Sequence, residues 1–130
     1  MNQDVLKSTI DQSLAGSATF PEIVGRLMKE GVESYHVDLV RGENRYYSPS
    51  GESVVLKVDL GHGVAADTFH ANDVEKAIRK AQAGRSDYRT FVREILQAGC
   101  VYYIAYLSGK RVSYFGRDGS AHVEFFPNAK

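Results

Sequence analysis

The sequence has no tryptophan, a single cysteine, only three prolines and no net charge, with sixteen Lys and Arg against sixteen Asp and Glu. One cysteine excludes an intramolecular disulfide and any paired-cysteine zinc unit. Cys100 lies in an apolar run just after a helix stop, the position of a small core residue. The balanced charge argues against strong nucleic-acid binding, because neutralising phosphates takes a Lys and Arg excess. Arg41, Arg45, Arg111 and Arg117 flank turns, where solvated charge is the ordinary reading. No apolar run approaches the roughly 20 residues that span a bilayer, and Met1-Asn2-Gln3-Asp4 opens no apolar signal region, so a cytoplasmic location is expected. A chain of 130 residues that is 43% hydrophobic and 25% charged is expected to form a single domain able to bury its own core without a staple.

What the sequence does have is a copy of itself. A shift of 68 positions lays Ile10 on Ile78, Ala15 on Ala83, Gly16 on Gly84, Val24 on Val92 and Gly31 on Gly99. It also lays Tyr35 on Tyr103, Leu39 on Leu107, Tyr46 on Tyr114, Gly51 on Gly119 and Val55 on Val123. These are ten identities, where composition alone gives roughly three. Leu6/Val74, Phe20/Tyr88, Ile23/Phe91, Leu27/Ile95, Met28/Leu96, Val32/Cys100 and Tyr47/Phe115 keep apolar character at matching places, as two versions of one unit would.

Within each copy the hydrophobic period changes from 3.6 to 2. Val5, Leu6, Ile10 and Leu14 predict a helix that stops at Gly16. Thr19, Pro21 and Glu22 open a second with a capping box and an apolar stripe of Ile23, Val24, Leu27 and Met28, ended by Gly31. Tyr35, Val37 and Leu39 then alternate with Ser34, His36 and Asp38. Arg41-Gly42-Glu43-Asn44 reads as a turn, Arg45-Tyr46-Tyr47 as a short strand, Pro49-Ser50-Gly51 as a turn and 54–58 as a third strand. The second copy predicts a capping pair of Asn72 and Glu75, a helix capped by Asp87 and stopped by Gly99, and strands near 100–108, 111–116 and 120–126. The expected fold is therefore α+β: internally duplicated α-α-β-β-β units, about 1–58 and 72–130, joined by a link over 59–71. They would share an antiparallel sheet about a pseudo-twofold axis, with the helices packed on one face.

Gly31-Val32-x-x-Tyr35, Tyr46-Tyr47 followed by Gly51-Glu52, Gly84-x-x-Asp87-Tyr88-x-x-Phe91, and Ala98-Gly99 through Tyr114-Phe115-x-x-x-Gly119 resemble a bacterial and prophage-encoded family of unknown function. Some of its members carry the label phage envelope protein. The resemblance covers almost the whole chain, but it rests on turns and aromatic strand positions, which imply a fold and not a chemistry. A structural component of a phage particle is one function it implies. The family often has an acidic residue where this chain has Tyr106, and a tryptophan where it has Tyr103.

Functional candidates come from comparing the copies. The outward residues of the first strand are Ser34, His36 and Asp38, and their matches are Tyr102, Ile104 and Tyr106. A Tyr-Ile-Tyr face left in water would mark a partner, ligand or subunit interface; alternatively a terminal segment or the link covers it. The leading expectation is a non-catalytic interaction or ligand-binding module, with a homodimer, another protein or a small molecule as partner, without nucleic acid, membrane or cofactor. The competing expectation is a small enzyme or metal-binding protein. His36 and Asp38 share one strand face, where a carboxylate can orient an imidazole, and Asp59, His62 and His70 could meet on a metal if the link folds back. Ser48, Ser50 and Ser113 lie in turn or strand contexts without a nucleophile elbow, and Gly61-His62-Gly63 lacks the lysine of a phosphate loop.

Overall fold

The computed structural model describes residues 1–60 and 63–127. Its element order is α1 (Gln3–Ala15), α2 (Phe20–Lys29), β1 (Ser34–Asp38), β2 (Glu43–Tyr47) and β3 (Ser53–Lys57), followed by α3 (Ala71–Gln82), α4 (Tyr88–Gln97), β4 (Cys100–Tyr106), β5 (Arg111–Gly116) and β6 (Ala121–Phe125). The fold is α+β, with α-α-β-β-β occurring twice in order. All six strands form one open antiparallel sheet in the order β3-β2-β1-β4-β5-β6.

Local chemistry accounts for most helix boundaries. The Asn2 side chain accepts from the backbone N–H groups of Asp4 and Val5, and Gly16 closes α1 in the left-handed region. Thr19 and Glu22 complete the capping box of α2, and Asp87 caps α4 by accepting from Thr90 N–H at 2.7 Å. The start of α3 departs from expectation. The helix begins at Ala71 behind an N-cap at His70, two residues before the expected cap Asn72, and no side chain caps it. His70 N–H instead donates to Ala98 O at 2.8 Å, so the return of the link onto the end of α4 sets this helix's start. A second departure concerns Glu43 and Asn44, which belong to β2 and are buried, although their residue types read as a turn.

The helices cover one face of the sheet. Leu6, Ile10, Ile23, Leu27, Val74, Ile78, Phe91, Val92, Ile95 and Leu96 meet the inward strand residues in one buried cluster. At its centre are two tyrosine pairs on neighbouring strands: Tyr35 stacks on Tyr46 with ring centres 5.6 Å apart, and Tyr103 on Tyr114 at 5.3 Å. Such pairs contribute about 0.5–1.5 kcal/mol each beyond area burial. Their polar tips need partners in the core: Asn44 donates to Tyr46 at 3.1 Å, and the Tyr88 and Tyr103 hydroxyls bond at 2.6 Å. Leu60 and Ala65 of the link join the same core.

The backbone carries a numerical regularity. The described residues with positive φ are Gly16, Gly31, Gly42, Gly51, Gly84, Gly99, Lys110 and Gly119, and they form four pairs 68 apart. At the sheet centre β1 pairs with β4 so that His36 faces Ile104, also 68 apart, with Tyr35 opposite Ala105 and Val37 opposite Tyr103 on either side.

Gly31 and Gly99 share the left-handed conformation but not the surroundings. Around Gly31 there is open space, whereas a Cβ on Gly99 would strike the carbonyl of Thr68 and come within 2.8 Å of Phe69 Cα. Gly31→Ala should therefore cost only the left-handed penalty, about 1–2 kcal/mol, and Gly99→Ala about 3 kcal/mol or more, read as midpoint shifts in urea unfolding. Lys110 holds a φ of 54° where its match is Gly42. Lys110→Gly should stabilise by about 0.5–1 kcal/mol, because relief of the left-handed strain exceeds the added entropy of the unfolded chain.

Candidate functional site

Since all four helices lie on one side, the other side of the sheet depends on strand alternation alone. Along β1, half-buried Ser34, His36 and Asp38 alternate with buried Tyr35 and Val37. Along β4, Tyr102, Ile104 and Tyr106 alternate with buried Val101, Tyr103 and Ala105. The register carries this outer set across the sheet. One row runs Tyr47, Ser34, Tyr106, Arg111, Phe125; the next runs Arg45, His36, Ile104, Ser113, Val123; a third runs Glu43, Asp38, Tyr102, Phe115, Ala121.

The two sides of this face differ in chemistry. Over β1–β3 it carries Tyr47 and exposed Val55 beside a charged cluster organised on Glu43, whose side chain is only 5% exposed. Its Oε1 accepts from Arg41 Nε at 3.1 Å, Arg45 Nε at 3.1 Å and Arg45 Nη2 at 2.7 Å, and Oε2 lies 3.4 Å from Lys57 Nζ. The hydrogen bonds from Arg45, then Lys57 and the neighbouring positive charges, hold the Glu43 carboxyl below its ordinary range. Over β4–β6 the face is apolar. Tyr102 is 44% exposed, Tyr106 37%, Val123 44% and Phe125 53%, with Ile104 and Phe115 half-buried between them. The Arg111 guanidinium lies 4.8 Å from the centre of the Phe125 ring.

Tyr102, Ile104 and Tyr106 thus lie together on the outer face. Among the described link residues, Phe69 packs on the inward side instead, at Gly116, where a Cβ would come within 2.6 Å of its own Cβ. Phe126, directly after β6, also turns inward, its ring edge-on to Phe20 of α2 at 5.4 Å. Phe115, Val123 and Phe125 extend the patch beyond the three residues singled out from sequence. Two-residue alternation along β5 and β6 was the available signal, but the register was needed to put the three strands side by side.

The polar candidates are not brought together. Asp38 turns its carboxylate to the backbone, accepting from Val40 N–H at 3.0 Å and Arg41 N–H at 2.9 Å, which closes the β1–β2 turn. The His36 ring instead lies 4.9 Å from the Tyr47 ring, and partial burial, then the Arg45 charge, lower its pKa. His70 opens α3 on the helical side, in an open groove with Phe69, Ala71, Asn72, Asp73 and Lys76. Asp59 follows β3, and His62 lies outside the described residues. Among the described residues no three His, Cys, Asp or Glu side chains form a group that could hold a metal ion. His122, not singled out from sequence, lies 3.3 Å from Glu124, which also pairs with Arg79 of α3 at 2.7 Å. This cluster ties β6 to the helical layer. Burial pushes the Cys100 thiol up to about 12, so it stays protonated at neutral pH. Of the four turn-flanking arginines, Arg41 and Arg45 converge on Glu43, Arg111 lies on Phe125 and Arg117 pairs with Asp67 at 2.8 Å.

Residues 7–124, from α1 into β6, match the family described as "Protein of unknown function (DUF1398)". The chain belongs to this family. Uncharacterized protein Rv2012 of Mycobacterium tuberculosis and Uncharacterized protein Mb2035 of Mycobacterium bovis are each 27% identical to this chain over 108 residues. The match covers 82% of this chain and 66% of each relative, so the chain spans just under two thirds of their length. None of these names refers to a phage. Among the described residues no helix is long and apolar enough to cross a membrane.

Two titrations test the electrostatics of this face. The His36 imidazole should titrate below 6.5 by NMR, and Arg45→Gln should move its midpoint up part of the way, since burial is the larger cause. A lowered carboxyl pKa contributes stability that is present above the ordinary glutamate value and lost as pH falls through the folded value. Glu43→Gln should therefore lower the melting temperature at pH 7 and flatten its decline below pH 4.5.

Proposed function

We propose that the two α-α-β-β-β halves, about 1–58 and 72–130, descend from one duplicated unit, and that the chain is a non-catalytic binding module. Its partner binds the outer sheet face of β4–β6. The observation that carries this reading is the contrast between equivalent positions on the two faces. Inward, Tyr35 and Tyr103, Tyr46 and Tyr114, and Leu39 and Leu107 are identical and buried. Outward, His36 is matched by Ile104, Asp38 by Tyr106, Arg45 by Ser113 and Lys57 by Phe125, while Tyr47/Phe115 and Val55/Val123 stay apolar in both halves.

The folding of the core explains the first set and not the second. A shared interior holds the inward residues constant, while water on the outer face would ordinarily favour polar residues on both halves. Three adjacent strands of exposed Tyr, Val and Phe are the composition of a contact surface: tyrosine brings large area with a polar tip, and charged groups are sparse at the centre. The lack of hydrogen bonding between His36 and Asp38 and the protonated, buried thiol of Cys100 favour binding over catalysis.

The test is a Tyr102→Glu/Tyr106→Glu double variant. Because both residues are on the outer face, its far-ultraviolet dichroism and melting temperature should stay close to those of the unsubstituted protein. Binding of the apolar dye anilinonaphthalene sulfonate, and any concentration-dependent rise in mass by sedimentation, should fall at least fivefold. If the folded variant matched the unsubstituted protein in both measurements, the face would not be the binding surface.

A further inference from the structure

We infer that the occupant of this face is one acidic amphipathic α-helix of a partner protein. This rests on the reading that the outer face of β4–β6 binds at all, and adds what binds there. The first argument is size. Three strands about 4.8 Å apart, each with about five residues rising about 3.4 Å, make a patch roughly 14 by 17 Å. Those are the dimensions of a single helix of about 12 residues, about 10 Å wide and rising 1.5 Å per residue.

A second copy of this chain fits less well. The patch has a flat area of about 240 Å², and even doubled for side-chain relief it falls short of the roughly 800 Å² that each subunit buries in a stable dimer, which leaves it the smaller, weaker contact of a single short segment. Enlarging the contact across β1–β3 would lay the partner over Glu43 and its three cations, where desolvated charge opposes association. A helix needs only the apolar half. Contacts of α3 with β6 and of α4 with β4 already put helices against the inner side of this part of the sheet, so a third helix outside would complete a helix-sheet-helix sandwich.

Charge selects the acidic kind of helix. Over β4–β6 the outer face has Arg111 and no carboxylate among the described residues, and Lys110 adjoins it in the turn. The neighbouring acids are committed elsewhere: Asp38, across the seam from Tyr102, accepts from Val40 and Arg41 N–H, Asp118 accepts from Ser120 N–H at 3.0 Å, and Glu124 faces the helical layer against Arg79. Carboxylates flanking the apolar stripe of an incoming helix would meet Arg111 and Lys110, whereas a basic helix would meet repulsion at that end. Apolar residues at i, i+3, i+4 and i+7 would lie over Ile104 and Val123, between the rings of Tyr102, Tyr106, Phe115 and Phe125.

The experiment follows backbone amides of the full ¹⁵N-labelled chain by NMR during titration with three synthetic 14-residue peptides. One has Leu and Phe at helical spacing with Glu on the remaining face; a second replaces each Glu by Lys; a third scrambles the first. The acidic peptide should shift amides of β4–β6, bind at least tenfold more tightly than the other two, and weaken with added salt. Arg111→Glu should abolish that preference. Equal binding by the lysine peptide, or shifts on this face caused by an oligouridine or by the protein's own dilution series instead, would overturn the acidic helix while leaving the binding face in place. If none of these probes nor the apolar dye perturbed β4–β6, the inference and the reading beneath it would both fall.

Discussion

The antiparallel pairing of β1 with β4 is the contact on which the rest of the structure depends. It joins two three-stranded meanders into one sheet and brings the helices of both halves over a common interior. The pairing extends past the strand ends through matched backbone bonds, Leu39 N–H to Val101 O and Leu107 N–H to Glu33 O, each 3.0 Å. A three-stranded meander with two short helices has a small interior and is marginal alone. The central ladder merges two such interiors and puts the Tyr35–Tyr46 and Tyr103–Tyr114 stacks in one core.

Once that ladder forms, the two faces of the sheet come under different constraints. Every inward side chain must fit helices that the other half helps to position, so substitution there is limited by packing. The link adds to this constraint by running over Gly99 and placing Phe69 on Gly116, both sites with no room for a side chain. The outward side chains meet only their strand neighbours. That freedom lets one half build an ion cluster on Glu43 while the other collects Tyr, Ile, Phe and Val. An ion cluster organised on a buried carboxylate and an uncovered apolar patch are neighbours on one face, separated by the β1–β4 seam.

Much of this was legible along the chain, for reasons that can be stated residue by residue. Helix ends capped by nearby side chains were readable, because Thr19 with Glu22 and Asp87 with Thr90 act within four residues. The start of α3 was not, because its first turn is anchored by Ala98, far away in sequence. Glu43 and Asn44 were misread for a related reason: their residue types favour turns, and only three cations from β2, β3 and the preceding turn, together with the Tyr46 hydroxyl, make a buried strand position tolerable for them. The candidate face was half legible. Alternation put Tyr102, Ile104 and Tyr106 on one side of β4, but their neighbours Phe115, Val123 and Phe125 came from strand register. The His36 and Asp38 pairing suggested by spacing gave way to the stronger local demand of two backbone N–H groups in the turn that follows.

The sequence by itself determined the order of the elements, the residues that face inward, and the 68-residue correspondence between halves, because these follow from periodicity, caps and left-handed turn positions that act over a few residues. Tertiary structure alone decided which strands became neighbours, where the link crossed, and that no segment of the described chain lies over the outer face of β4–β6. Strand pairing and burial depend on contacts between distant residues, and no local pattern specifies which of two chemically similar faces the helices will cover.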